Sequence, residues 1–274
     1  MAFSSAVLTL EKQGPVAVLW LDNPKRRNAF GPDFWEDLPG AMAAVAGDPS
    51  VRAVVLAARG PAFTVGLDLK TMGPALLQGQ GEGSAVQGRL QLYREVKRLQ
   101  APINALADCP KPVIAAIHGH CIGAGVDLIT ACDIRLAAED ASFSVRETKM
   151  AIVADLGTLQ RLPRIINPGY VAEMVYTGHD VDAHRALQMG LVTGVFADAA
   201  ALQDAAFQMA GEIAENAPLV VQGAKAVLTN SAGMTTAQSL DYVALWNSAY
   251  LQSEDLAEAV TAFFEKRPPS FKGA

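Results

Sequence analysis

Short apolar runs alternate with longer amphipathic segments through the first two-thirds of the chain. The runs are rich in β-branched residues and end at Gly, Pro or charged residues, which is typical of buried strands. The amphipathic segments repeat their apolar residues every three or four positions, as helices with one buried face do. This pattern predicts strands at 6–11 and 15–21 and in "VRAVVLAARG", "KPVIAAIHG" and "DIRLAAED". It predicts helices in "FWEDLPGAMAAVAGD", which ends near Gly47, in "GRLQLYREVKRLQAPINALADC" and at 123–132. Strands that alternate with helices indicate an α/β fold with parallel pairing.

The strand pattern stops near residue 198, and successive helical patterns follow to the end of the chain. We therefore expect a core domain over 1–197 and a helical region over 198–274. In that region Tyr242, Trp246 and Tyr250 recur every four residues, which favours a core or subunit contact over a ligand platform. The Gly- and Gln-rich stretch at 72–88 predicts a surface loop.

Composition and charge describe a compact globular protein with no general affinity for nucleic acid. The chain has 274 residues, of which 51% are hydrophobic and 18% charged, and its net charge is −6. A phosphate backbone selects for a basic surface, so this charge counts against nucleic-acid binding. Three cysteines in apolar surroundings indicate buried thiols in a reducing compartment. No leader, membrane span or C-terminal address is recognisable, so the sequence predicts a soluble cytoplasmic protein.

Two stretches of small residues each turn a strand into a helix. They are "RGPAFTVGLDLK" at 59–70 and "HGHCIGAGVDL" at 118–128. Two such turns can each aim a backbone N–H at one oxygen and so form an oxyanion hole, which stabilises charge on a carbonyl oxygen. Two ordinary strand–helix turns are the alternative.

Three carboxylates follow the second turn. Asp127 begins an apolar run, Glu147 lies 20 residues later and Asp155 a further eight. Buried carboxylates close together cannot all ionise cheaply, so some of their pKa values move into the range useful for acid–base catalysis. Spacing alone leaves two alternatives open: helix capping, by Asp127 and by Asp155 of a helix starting at Leu156, and surface exposure.

Two other constellations are weaker. His118 and His120 lack a third ligand at a persuasive spacing, so we predict no metal site. Ser142 and Ser144 lack any sign of a His–Asp relay, so a serine nucleophile is not expected.

Over nearly its whole length the sequence resembles the crotonase superfamily, also called the enoyl-CoA hydratase/isomerase family. The resemblance implies a spiral of ββα units with C-terminal helices that pack in homotrimers, often paired into homohexamers. It implies chemistry on an acyl-CoA thioester, with the backbone N–H groups of Leu67 and Ala124 as oxyanion donors. The matching stretches are "NPKRRNAF" (23–30), "AFTVGLDLK" (62–70), "AAIHGHCIGAGVDLITACDIR" (115–135), "GTLQRLPRIIN" (157–167), "TGHDVDAHRALQMGLVTGVF" (177–196) and "FFEKRPPSFK" (263–272).

Within that family the carboxylate pattern is similar to that of Δ3,5-Δ2,4-dienoyl-CoA isomerases. Hydratases of the family carry Glu, Glu and Gly at the positions of Asp127, Glu147 and Asp155. The isomerase resemblance implies that Asp155 and Glu147 shuttle a proton between C2 and C6, with Asp155 as the base at C2 and Asp127 as the third acid. Coenzyme A is then part of the substrate, and no separate cofactor is expected.

The resemblance also implies which residues bind the substrate. Basic residues stand out in this acidic chain, and the family places the CoA adenosine near the segments that match two of these runs. The expected contacts with substrate or CoA are Lys25, Arg26, Arg27, Val65, Gly66, Asp68, Gly125 and Lys272. The alternatives left open are a hydratase of the same fold, a non-catalytic binding protein, and another acyl-CoA reaction such as hydrolysis.

Overall fold

The computed structural model describes residues 3–77 and 85–274. A six-stranded sheet forms its centre, with strand order β1-β2-β3-β4-β6-β9. β1 and β2 pair antiparallel, and the remaining neighbours pair parallel, as the alternation of strands and helices predicted. The strands are β1 (Leu8–Gln13), β2 (Val16–Leu21), β3 (Ala53–Ala58), β4 (Val113–Ile117), β5 (His120–Ile122), β6 (Ile134–Ala138), β7 (Ser142–Ser144), β8 (Val181–Asp182) and β9 (Gly194–Phe196).

Both faces of this sheet are buried, which explains why β2 and β3 are apolar at every position. One face packs on the main core, which includes Phe30, Phe34 and Trp35. The other face packs on α8. The helices are α1 (Pro32–Gly47), α2 (Leu69–Leu77), α3 (Ala85–Ala107), α4 (Ala124–Thr130), α5 (Thr158–Arg161), α6 (Pro168–Thr177), α7 (Ala183–Met189), α8 (Ala199–Ala214), α9 (Pro218–Asn230), α10 (Thr236–Tyr250) and α11 (Glu254–Glu265).

A second sheet of three short strands, in the order β5-β7-β8, continues from the first. β4 and β5 are separated only by His118 and Gly119, so the chain passes from the large sheet into the small one at this point. Gly119 has φ +57°, and a Cβ there would lie 2.5 Å from the carbonyl oxygen of Pro61. Glycine is therefore required where the two segments cross.

The prediction of a surface loop at 72–88 is wrong for 72–77 and 85–88, the part that the structure describes. α2 continues to Leu77 and α3 begins at Ala85, while residues 78–84 lie outside the described residues. Met72 is buried at 8% exposure and anchors α2 to the core. The glycines of this stretch favoured a loop, but burial of one apolar side chain outweighs that local preference.

The chain from α8 onwards is helical, as predicted, although the boundary at residue 198 stays a prediction. α9 and α10 pack together, and a Cβ on Gly223 would lie 2.3 Å from Nε1 of Trp246. Trp246 therefore packs between helices, with the Tyr250 ring 4.9 Å away. Within residues 3–77 and 85–274, no helix combines the length and the apolar character needed to cross a membrane.

Candidate active site

Backbone hydrogen bonds join the two small-residue turns. Thr64 N donates to the carbonyl of His120 at 2.8 Å, and Ile122 N donates to the carbonyl of Thr64 at 3.2 Å. On the other side of the first turn, Phe30 N donates to the carbonyl of Gly66 at 2.8 Å and Asp68 N to the carbonyl of Phe30 at 3.0 Å. The first turn is therefore held between Phe30 and the segment at 120–122.

This arrangement leaves the N–H of Leu67 unused. Gly66 N donates to Oγ1 of Thr64 at 3.1 Å, and Asp68 N is bound by Phe30, so both neighbours of Leu67 are engaged. In the parallel bridge with Phe30, the N–H of Leu67 points to the opposite side, towards the second turn. Among the described residues, neither Leu67 N nor Ala124 N donates to a protein acceptor.

Gly66 brings these two N–H groups together. Its φ is +81°, and a Cβ built on it would lie 2.5 Å from the carbonyl oxygen of Ile122 and 3.4 Å from Ala124 N. Only glycine allows this approach. Gly125 has a similar packing role, because a Cβ there would lie 2.5 Å from Cγ2 of Thr64. The predicted donors thus lie side by side, with Gly66 and Gly125 supporting their approach.

Glu147 lies against the second turn. A Cβ on Gly123 would be 3.5 Å from Oε1 of Glu147, and Gly123 directly precedes Ala124. Its other oxygen, Oε2, is buried and has no hydrogen-bond partner within the part of the chain that the structure describes. Burial, followed by the negative charge of Asp127, raises the pKa of Glu147 to about 7.

Asp127 is a buried carboxylate at 1% exposure. Its Oδ1 accepts a hydrogen bond of 2.6 Å from the N–H of Thr158. Burial raises the pKa of Asp127 to about 6, against hydrogen bonding from Thr158. The capping alternative holds in a modified form: Asp127 lies in the first turn of α4, but it binds the first N–H of α5.

Asp155 lies at the outer side of this group and is exposed in the single chain. Its main-chain carbonyl accepts a hydrogen bond of 2.7 Å from Nε2 of Gln100, and a cavity of about 390 Å³ opens beside it. Partial burial raises its pKa. The prediction that Asp155 caps a helix starting at Leu156 is wrong, because α5 starts at Thr158 and its N-cap is Gly157.

The three carboxylates are close enough to influence one another. The charge of Asp155 raises the pKa of both Asp127 and Glu147, and the charge of Asp127 raises that of Glu147. Carboxylates with raised pKa values, next to the backbone N–H groups of Leu67 and Ala124, are typical of acid–base sites.

The basic run at 25–27 lies beside the first turn. The guanidinium of Arg26 pairs with Asp68 at 2.7 Å, and the carbonyl of Arg27 accepts a hydrogen bond from Val65 N at 3.2 Å. Lys25 is exposed. The run is thus attached directly to the segment that carries Leu67.

Lys272 is not part of this group within one chain. Its N–H binds Asp255, and the carbonyl of the preceding Phe271 is bound by Arg52, at the beginning of β3. The run at 25–27 follows the other end of the sheet, where Arg59 N binds the carbonyl of Leu21. The six residues of β3 separate these ends by about 17 Å. Lys272 and the run at 25–27 therefore lie towards opposite ends of β3 within one chain.

Sequence reasoning gave no role to four residues that support the carboxylates. Gln100 and Asn104 come from α3, and Thr158 and Arg161 come from α5. Thr158 and Arg161 lie in the stretch "GTLQRLPRIIN", which marked the family but suggested no contact. His118 was considered as a metal ligand, and its Nε2 lies 2.8 Å from the carbonyl oxygen of Gly60.

Known proteins resemble this chain over almost its whole length. The chain is 44% identical over 267 residues to a Dictyostelium discoideum protein named "Delta(3,5)-Delta(2,4)-dienoyl-CoA isomerase, mitochondrial", covering 97% of this chain and 91% of that protein. It is 44% identical over 253 residues to the Arabidopsis thaliana protein named "Delta(3,5)-Delta(2,4)-dienoyl-CoA isomerase, peroxisomal", covering 92% and 91%. A crystal structure of a putative enoyl-CoA hydratase from Streptomyces coelicolor has a TM-score of 0.90 at 29% identity, covering 99% of this chain and 96% of that one.

These names contradict the predicted cytoplasmic location, since the relatives are mitochondrial or peroxisomal. Buried thiols and an acidic composition do not distinguish one reducing compartment from another, and targeting signals are read by receptors. The fold prediction is confirmed, because the solved relatives superimpose on almost the whole chain. A family model described as "Enoyl-CoA hydratase/isomerase" matches residues 11–274, and the chain belongs to this family.

Proposed function

We propose that this protein is an acyl-CoA isomerase that converts 3,5-dienoyl-CoA into 2,4-dienoyl-CoA. The observation that carries the proposal is the position of Glu147 beside Ala124 N, with Asp155 as a second acid in the same group. Relatives at 44% identity that are named as this isomerase support it. Oxidoreduction is not required, because substrate and product are isomers.

The reaction needs two proton transfers and one oxyanion hole. A carboxylate removes a proton from C2, and the electron pair of the C2–H bond spreads over the thioester oxygen, C4 and C6. The N–H groups of Leu67 and Ala124 stabilise the charge on that oxygen. A carboxylic acid then protonates C6, which leaves double bonds at C2–C3 and C4–C5. Coenzyme A remains attached throughout and is part of the substrate.

The contacts of Glu147 favour a role at C2. A thioester oxygen bound to Ala124 N brings C1 and C2 next to Gly123, against which Glu147 lies. Asp155 is then the acid that serves C6. This reverses the assignment that the sequence suggested, where Asp155 was the base at C2, because the acid nearer the oxyanion donors is the one nearer C2.

The electrostatics set the pH at which Glu147 can act as a base. Burial, followed by the charges of Asp127 and Asp155, raises the pKa of Glu147 to about 7, and burial raises the pKa of Asp155. Glu147 is therefore ionised, as a base at C2 must be, above about pH 7. Asp127 is buried and bound to Thr158 N, and once it is ionised its charge raises the pKa of Glu147.

The basic run at 25–27 is proposed to bind phosphate groups of coenzyme A. Lys25, Arg26 and Arg27 are exposed and lie next to Val65 and Asp68, so a thioester held at Leu67 has their charges nearby. Lys272 lies towards the other end of β3, and we propose that it joins this site from a neighbouring subunit.

An absorbance assay tests the activity. Incubation with 3,5-dienoyl-CoA should produce a conjugated 2,4-dienoyl chromophore, whereas 2-enoyl-CoA should be hydrated slowly or not at all. Fast hydration of 2-enoyl-CoA without isomerisation would identify a hydratase instead. Absence of both reactions would favour a binding protein.

The C-terminal helices are proposed to be the surface through which the chain forms a homotrimer or homohexamer. Phe263 and Phe264 on α11 are 78% and 77% exposed, and Leu240 and Leu245 on α10 are also exposed. An apolar cavity of about 790 Å³ lies between these helices and α9. Apolar area of this extent marks an interaction surface. Sedimentation at micromolar concentration should give a trimer or hexamer, and a stable monomer would contradict the proposal.

A further inference from the structure

The turn at 155–158 connects two of the three acids. Asp155 belongs to it, and the N–H of Thr158 binds the buried carboxylate of Asp127. A shift of this turn therefore moves Asp155 and loosens Asp127 at the same time. Gly157, in the middle, has φ +132°, a conformation that L residues other than glycine rarely adopt.

The guanidinium of Arg161 lies directly on this turn. A Cβ built on Gly157 would be 1.8 Å from Nη1 of Arg161 and 2.9 Å from its Cζ, so the group occupies the space a side chain would need. Nη1 also donates to the carbonyl of Leu156 at 3.3 Å. Backbone and side chain of Arg161 both contact the turn, because its own N–H binds the carbonyl of Gly157 at 2.9 Å.

A second helix fixes the guanidinium. Nη2 of Arg161 donates to Oδ1 of Asn104 at 2.6 Å, and Asn104 lies one helical turn after Gln100, which holds the carbonyl of Asp155. α3 thus binds the turn at 155–158 twice, once directly and once through Arg161. Arg161 is half-buried, and Asp127 is among the charges that act on it.

We propose that Arg161 is a positioning residue for the reaction: with Asn104 it fixes the 155–158 turn, and through it the carboxylate of Asp155 and the hydrogen bond to Asp127. The inference rests on the proposed isomerase function for its kinetic consequence only. Nη1 and Nη2 of Arg161 already bind protein acceptors, so we expect substrate affinity to depend little on this residue.

Arg161→Ala is the first test. Displacement of an acid by about 1 Å costs up to about 10²-fold in rate, so kcat on 3,5-dienoyl-CoA should fall by at least about tenfold. KM should change less than about twofold. The deletion leaves a space of guanidinium size, so guanidinium chloride at tens of millimolar should restore part of kcat, whereas potassium chloride at the same ionic strength should not. Failure of guanidinium to restore activity, or wild-type kcat in Arg161→Ala, overturns the proposal.

Two further variants separate positioning from charge and from folding. Arg89→Ala removes an exposed cation of α3 that lies 15 residues before Asn104 and should keep wild-type kcat. Asn104→Ala leaves Arg161 in place without its acceptor, so kcat should fall, and the same change should add little in the Arg161→Ala background. If Arg161→Ala does not fold, Asn104→Ala decides: unchanged kcat there contradicts the proposal.

Hydrogen exchange tests the positioning without any reaction. Backbone amides of 155–161 should exchange at least about tenfold faster in Arg161→Ala than in the wild type, while those of β3 should not change. Equal exchange of 155–161 in both proteins overturns the inference. A wild-type protein that fails to isomerise 3,5-dienoyl-CoA contradicts the proposed function, and the exchange rates then still decide the role of Arg161.

Discussion

Replacing Asp127 by Asn should remove a loss of stability that the wild-type protein undergoes as pH rises. The pKa of Asp127 is about 6 in the folded chain, against an ordinary value of 3.8. The folded state therefore keeps a proton that the unfolded chain has already released, and stability decreases as pH rises through this window. A pKa raised from 3.8 to about 6 lowers the free energy of unfolding by about 3 kcal/mol above about pH 7. At pH 5 it lowers this free energy by about half as much.

The Asn variant keeps the shape of the site and the acceptor for Thr158 N, but it has no charge to desolvate. The new amide hydrogens lower the free energy of unfolding by an amount that is the same at every pH. This amount cancels when the variant is compared with itself at two pH values. Urea unfolding at equal protomer concentration should show the variant gaining about 1.5 kcal/mol on the wild type between pH 5 and pH 8. Asp204→Asn, at an exposed position on α8, is the matched control and should show no such gain. A difference for Asp127→Asn that does not depend on pH would refute the reasoning.

Three further outcomes are expected for the reaction. Leu67→Pro should lower kcat by about 10²–10³ because it removes one oxyanion donor, whereas Leu67→Ala keeps the N–H; equal kinetics of the two folded variants would exclude Leu67 as a donor. Glu147→Gln and Asp155→Asn should each lower kcat by at least about 10², and the double variant should lose much less than the product; additive losses would mean that the two acids do not act as a pair. Activity should rise as pH increases through about 7, where Glu147 ionises. Asp127→Asn should move this rise to lower pH because it removes a charge that raises the pKa of Glu147, and an unchanged pH profile would show that Asp127 does not act on Glu147.

The periodicity of the sequence was sufficient to predict β1, β2, β3, β4, β6 and most helices, whereas the short strands β5, β7, β8 and β9 were not predicted. β2, β3 and β4 are buried along their whole length, so they appear as continuous apolar runs that need no knowledge of their neighbours. The two turns were recognisable because backbone crossings require glycine, as at Gly66. The resemblance to a family then selected which acids belong together, which spacing alone left open.

The contacts around the acids could not be predicted in the same way. Asp155 looked like a cap because it precedes a short helical pattern, but the helix begins three residues later and its first N–H is bound by Asp127, 31 residues earlier in the chain. The contact of Arg161 with Gly157 depends on Asn104, and therefore on how α3 packs. Such contacts arise from tertiary packing and leave no periodic trace in the sequence. For the same reason the position of Lys272, at the far end of β3 from Lys25, was not foreseeable.

The two bridges that hold the first turn in place have a consequence for the synthesis of the chain. Thr64 meets Cys121, and Phe30 meets Leu67, so each contact closes a long loop. Loop closure costs entropy before the contact forms, and such non-local contacts slow folding. A nascent chain that has emerged only as far as β4 holds Leu67 but neither Ala124 nor any of the three acids. At about 5–20 residues per second, several seconds separate the synthesis of the two proposed oxyanion donors, Leu67 and Ala124. Until residues 118–128 have been synthesised, the segment carrying Leu67 therefore lacks the backbone hydrogen bonds that join it to the second turn in the folded chain.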